Sequence, residues 1–145
     1  MQWFNKTFDE LTGVELFKIY QLRALVFNGE QESSYPDPDE NDLVAHHLFC
    51  CDGPQVVAYA RYFEVGKQVT FGRVVIRKNY RGTGLSKPLM DQLLSGIQRD
   101  FPGREIVIHA QYYIRGYYAQ YGFHPTGDPF IEAERKHITM THPGL

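Results

Sequence analysis

The 145 residues of this chain, 43% hydrophobic and 22% charged, fit one domain with a core large enough to need neither disulfides nor a structural metal. Fifteen Lys and Arg against 17 Asp and Glu leave a net charge of −2, without the basic excess of a general nucleic-acid binder. No apolar run approaches the ~18 residues of a membrane span, and Met1 to Lys6 lacks a signal-peptide pattern, so a cytoplasmic protein is expected.

From the start of the chain, residues 2–8 read as a short edge strand. Leu11 to Phe27 returns apolar residues to one broad face and predicts a helix. Ser33 to Asp42 has loop composition, with Pro36 and Pro38 set among Asp37, Asp39, Glu40 and Asp42. His47–Asp52 and Gln55–Phe63, split by Gly53-Pro54, predict a hairpin, and Val69–Ile76 a third strand. Adjacent Cys50 and Cys51 would point to opposite faces of a strand, as reduced thiols rather than a bridge. After a glycine-containing turn, Leu85, Leu89, Met90, Leu93, Leu94, Ile97 and Phe101 form a helical stripe that Pro102-Gly103 stops. Ile106–Ile108 is a short strand. Tyr113, Tyr117 and Tyr121, four apart, suggest one side of a helix ending at Gly122, and two extended segments close the chain. The order is that of a mixed α/β layer in which helices cover a sheet.

A strand running through a glycine turn into a helix leaves backbone N–H groups without partners at the positive end of a helix dipole, a setting for phosphate. The turn reads Arg81-Gly82-Thr83-Gly84-Leu85-Ser86. It matches neither GxxxxGK[ST] nor GxGxxG. It resembles the acetyl-CoA pyrophosphate loop of the GNAT N-acetyltransferases, Q/R-x-x-G-x-G/A, with Ser86 in place of the last Gly or Ala. Pro88 then belongs in the first helical turn, with the helix starting at about Ser86. A second stretch, Tyr118-Ala119-Gln120-Tyr121-Gly122-Phe123, is similar to the Y-x-x-x-G-F signature of the same family. Further similarity to its ElaA-like branch lies in Gln21-Leu22-Arg23, Val26-Phe27, Glu30-Gln31, Tyr35 to Asp42, His46-His47, Ala58 to Arg61 and Gly72-Arg73-Val74.

The resemblance implies the GNAT fold across residues 1–145: a central, mixed but mostly antiparallel sheet, splayed at the CoA site, with helices on both faces. It implies acetyl-CoA as cosubstrate, an amine as acceptor and, by family analogy, a homodimer. The amides of Gly82, Thr83, Gly84, Leu85, Ser86 and Lys87 would hold the pyrophosphate beside Arg81. The backbone around Val74, Val75 and Ile76 would pair with pantetheine, and Gln111 stands where the family often has a CoA-contacting Asn. Tyr118 would protonate the departing thiolate, a phenol of pKa ~10 facing a thiol of ~8.5.

The general base stays open among Glu30, the acidic loop Asp37–Asp42, His46, His47 and Glu64, with Glu30 leading because it follows the first helix. Arg61 and Arg73, in neighbouring strands, would suit an anionic acceptor group or else cover the sheet with their stems. Asp37-x-Asp39-x-Asn41 fails the calcium-loop pattern, since Asp42 stands at the glycine position and Leu48 at the closing glutamate, so no metal is expected. Two other readings of the chain are a CoA-binding sensor without catalysis and a phosphate-binding α/β protein of unrelated chemistry.

Overall fold

The computed structural model describes residues 1–145 and holds one sheet of seven strands. Strands β1 (Gln2–Thr7), β2 (His46–Asp52), β3 (Gln55–Val65) and β4 (Gln68–Ile76) form an antiparallel meander. Strands β5 (Ile106–Gln111), β6 (His124–Glu132) and β7 (Arg135–His142) form a second antiparallel set, in the order β5-β7-β6. The two sets meet where β4 and β5 run parallel.

Alternation along the strands gives the sheet two apolar faces. Phe49, Tyr59 and Val75 face helix α1 (Gly13–Arg23), which buries Ile19 and Leu22 against them. Leu48, Ala60, Phe71, Ile106 and Ile108 face helix α2 (Ser86–Asp100), which buries Leu89, Met90, Leu93 and Ile97. Each of these long aliphatic side chains contributes ~1.5–3 kcal/mol by leaving water.

Three expectations change in detail. Helix α1 starts at Gly13, because Thr12 caps it: its side chain accepts from Glu15 N at 3.1 Å, and Glu15 accepts from Thr12 N at 2.9 Å. It gives way after Arg23 to a wide π-type turn, Ala24–Glu30. The tyrosine helix is also shorter. A tight turn at Tyr112–Ile114 precedes the five-residue α3 (Arg115–Ala119), and this change of pitch leaves Tyr113 72% exposed. Tyr117 and Tyr121 do pack together, with ring centroids 5.4 Å apart.

Candidate active site

The loop between β4 and α2 has the backbone its glycines permit. Gly82 (φ +76°) and Gly84 (φ +84°) both lie in the left-handed region, and a Cβ at either would meet only open space. Conformation therefore requires glycine here, and the loop surface stays free. Helix α2 begins at Ser86 with Pro88 in its first turn, as expected. Leu85, not Ser86, occupies the capping position, and no side chain accepts from the first amides. The Ser86 hydroxyl instead shares a 2.6 Å hydrogen bond with Tyr117, tying α2 to α3. Burial pushes the Tyr117 phenol up to about 12.

Arg81 folds back along the loop. Its Nε donates to the Ile76 carbonyl at 2.9 Å, and its two terminal nitrogens reach the Glu30 carboxylate at 2.9 and 3.0 Å. This hydrogen-bonded pairing lowers the Glu30 pKa. Glu30 is also absent from the wall of the cleft described next. Glu30, expected as the base, thus anchors Arg81 and stands outside the cleft wall. The Ile76 carbonyl, expected to face pantetheine, is likewise engaged by Arg81.

Strands β4 and β5 are in register only at Val69 and Ile106, and then separate. A cleft of about 700 Å³ opens between them, walled by Phe71 to Val74 on one side and Val107 to Gln111 on the other. Val74 lines it, whereas the Val75 side chain is buried under α1. Opposite β3 the pairing shifts by one residue, from Arg61–Gly72 to Tyr59–Val75, so β4 carries a bulge. At its centre Arg73 has φ +53°, an unusual backbone for a side chain of this size. Its guanidinium fixes the kink by donating to Asp37 Oδ1 at 2.8 Å and to the Asp37 carbonyl at 2.9 Å.

Tyr118 reaches the cleft from α3. Its ring packs against Phe71 and Phe123, with centroids 5.8 and 6.1 Å away, and the residue is 6% exposed. Burial raises its pKa, keeping the phenol protonated at neutral pH. Gln111 lines the same cleft. Its amide nitrogen contacts Gln31 Oε1 at 3.4 Å, and its own oxygen is buried without a partner.

Arg61 and Arg73 do border the cleft, but their charges are already matched. Arg61 donates to Asp39 at 2.6 Å and to Asp42 at 2.8 Å. Arg23, fully buried at the end of α1, donates to Asp37 and Asp42, both at 2.7 Å. Burial alone would raise the Asp42 pKa, yet the Arg23 hydrogen bonds and charge bring it down to about 2. Arg61 and Arg73, expected to meet an anionic acceptor group, here pin the acidic loop over the sheet. Arg23 carried no sequence signal of this, because its partners lie 14 and 19 residues away in a segment that reads as a solvated loop.

The remaining base candidates are also placed. His47 is buried, donating from Nε2 to the Asp42 carbonyl (2.9 Å) and accepting at Nδ1 from the Tyr59 hydroxyl (2.7 Å). Burial lowers its pKa, so it is a neutral strut. His46 stacks on Tyr62, and Glu64 pairs with Arg104. A group that sequence reasoning passed over lines the cleft instead: His109 on β5, Glu132 at the end of β6 and His137 on β7. These residues are 23 and 5 apart in sequence, and only strand pairing joins them.

A family model for the acetyltransferase (GNAT) domain matches residues 39–142. The chain belongs to the GNAT acetyltransferase family. Within the family it is similar to protein ElaA of Escherichia coli, with 29% identity across 97% of this chain and 95% of that protein. The ElaA crystal structure superposes with a TM-score of 0.93 over 98% of this chain and 99% of that one. A crystallised acyl-CoA N-acyltransferase from Pseudomonas aeruginosa is 34% identical, with a TM-score of 0.93 over 97% and 98% of the two chains. An aminoglycoside 6'-N-acetyltransferase complexed with coenzyme A shares the fold at 13% identity, TM-score 0.69, over 97% and 96%. In this GNAT domain, Tyr118 stands in the wall of the β4–β5 opening, and the Arg81–Ser86 loop joins β4 to α2.

Proposed function

We propose that the protein transfers an acetyl group from acetyl-CoA to a primary amine by direct attack in a ternary complex, with residues 1–145 acting as one domain. The observation that carries this reading is the β4–β5 opening, which separates after Val69 and Ile106 and has Tyr118 in its wall.

The uncapped amides from Gly82 to Lys87 suit a pyrophosphate, aided by the α2 dipole. Arg81, held by Glu30 and the Ile76 carbonyl, braces the loop at that end. The free edge of β4 at Val74 and Val75 suits the pantetheine amides, which would complete the missing strand pairing. Gln111 contributes its unpartnered oxygen on the opposite wall. The bulge at Arg73 leaves backbone amides of β4 without a ladder partner on the cleft side, and one of these would polarise the thioester carbonyl.

The acceptor nitrogen attacks the carbonyl carbon, and the carbon–sulfur bond breaks. Tyr118, protonated at neutral pH, gives its proton to the leaving thiolate and regains one from the nitrogen. Burial disfavours a lasting phenolate, so the two transfers are coupled. Neither cysteine suits a covalent acyl-enzyme: both thiols are pushed up by burial, away from the reactive thiolate form.

Thiol release across a panel of amines, with mass detection of products, tests the reading. Calorimetry should show acetyl-CoA binding and none with ATP. A tight CoA complex without turnover on any amine would favour a sensor instead. Equal binding of both nucleotides would favour an unrelated phosphate site.

A further inference from the structure

An acceptor ammonium must lose a proton before it attacks, and the structure engages Glu30, His47 and Glu64 elsewhere. We propose that His137 takes up this proton, with Glu132 holding the imidazolium that results. The proposal rests on the acyl-transfer reading above.

The hydrogen bonds define the state of the ring. His137 Nδ1 lies 2.8 Å from the Arg135 carbonyl, which can only accept, so Nδ1 carries the proton and Nε2 the lone pair of the neutral ring. Glu132 Oε2 lies 3.9 Å from Nε2, two acceptors facing each other. A proton on Nε2 converts that contact into an ion pair. The other carboxylate oxygen, Oε1, receives Nδ1–H of His109 at 3.0 Å, which orients Glu132. His137 is 7% exposed and its ring stacks on Phe130 at 6.0 Å, whereas the Glu132 side chain is 47% exposed.

Placement agrees with the role. His137 is opposite Gln111 in the β5–β7 register, and both share the cleft with Tyr118. The charged and titratable groups facing it are Glu132 from β6, His109 from β5, Arg135 from β7 and, across the cleft, Asp37, Asp39, Arg61 and Arg73, which pair among themselves. Protons balance. One ammonium proton passes to His137 Nε2, the nitrogen–carbon bond forms, the carbon–sulfur bond breaks, and a second nitrogen proton reaches sulfur by way of Tyr118. His137 then releases its proton to solvent.

The test compares wild type, H137Q and E132Q with one acceptor and acetyl-CoA, following kcat against pH, acetyl-CoA affinity by calorimetry, and the His137 ring by nitrogen NMR. H137Q should lower kcat by about 10²–10⁴-fold, abolish the ascending limb of its pH profile and leave acetyl-CoA affinity unchanged. E132Q, at a half-exposed site that tolerates the change, should lower kcat and alter its pH profile while leaving acetyl-CoA affinity unchanged, because the imidazolium loses its anion. A His137 ring protonated at Nε2 when neutral would overturn the proposal, as would H137Q or E132Q profiles equal to wild type. Wild-type turnover that survives H137Q sinks the base alone. Absence of wild-type turnover on every amine sinks the acyl-transfer reading and the base with it.

Discussion

At Tyr118 the ring and the hydroxyl serve separate ends. The ring fills space between Phe71 and Phe123, while the hydroxyl makes no hydrogen bond within the protein. Tyr118→Phe should therefore leave the thermal midpoint within a few degrees and acetyl-CoA binding intact, while kcat falls by about 10²–10⁴-fold. An unchanged kcat and pH profile would remove Tyr118 from the chemistry. Glu30 makes the opposite case. Its salt bridge to Arg81 is exposed, so Glu30→Gln should raise KM for acetyl-CoA by about two- to fivefold, less at high salt, and leave the pH profile of kcat in place. A lost ascending limb in that variant would place Glu30 in the chemistry as the base. Arg23 is a buried cation between two buried carboxylates. Arg23→Leu leaves Asp42 with Arg61 alone and Asp37 with Arg73 alone, removes the one fully buried cation between them, and should cost about 3–5 kcal/mol in urea unfolding.

Among the elements, the glycine loop and the β4 bulge both use left-handed backbone, for different reasons. Gly82 and Gly84 adopt it without a side chain to crowd it. Arg73 adopts it because Asp37 holds its guanidinium from two directions. Gly84→Ala should destabilise the fold by only about 1–2 kcal/mol, the cost of one left-handed residue. It should weaken acetyl-CoA binding more than tenfold, because a relaxed loop no longer aims its amides together; calorimetry on the folded variant reads this. Equal binding by the variant would place the pyrophosphate elsewhere. The π-type turn after α1 links these parts, since it carries Phe27 to the cleft and Glu30 to Arg81. Such turns recur at functional sites.

For the whole molecule, the acidic loop is its acid-sensitive seam. Asp42 has a folded pKa of about 2 against 3.8 for the free group, and the Arg61 hydrogen bonds lower Asp39 as well. A depressed carboxylate stabilises the fold above its unfolded pKa, and that stability disappears as pH falls through the folded value. His47, lowered by burial, has the same sign: the unfolded chain takes up its proton first, below about 6.5. Urea midpoints should thus drop gently below pH 6.5 and steeply between about 4 and 2. A flat profile down to pH 3 would show that these carboxylates are not held as described.

The order of elements, the helix start at Ser86, the glycine loop and Tyr118 could be read from local pattern, because hydrophobic period, turn chemistry and short motifs are encoded within a few residues. The partners of Arg61 and Arg73 could not. Asp39 lies 22 residues before Arg61 and Asp37 lies 36 before Arg73, so a loop that looks solvated becomes a partly buried counter-ion set only once it folds over β3 and β4. The same holds for His137, an isolated histidine in a strand until β7 sets it against Gln111 and the hairpin returns Glu132 to it. By itself, then, the sequence determined the α/β layer, the family likeness and the place of the glycine loop, all consequences of local spacing. Tertiary structure alone decided which charges are already matched and which titratable groups meet in the cleft, because burial and pairing arise only between segments distant along the chain.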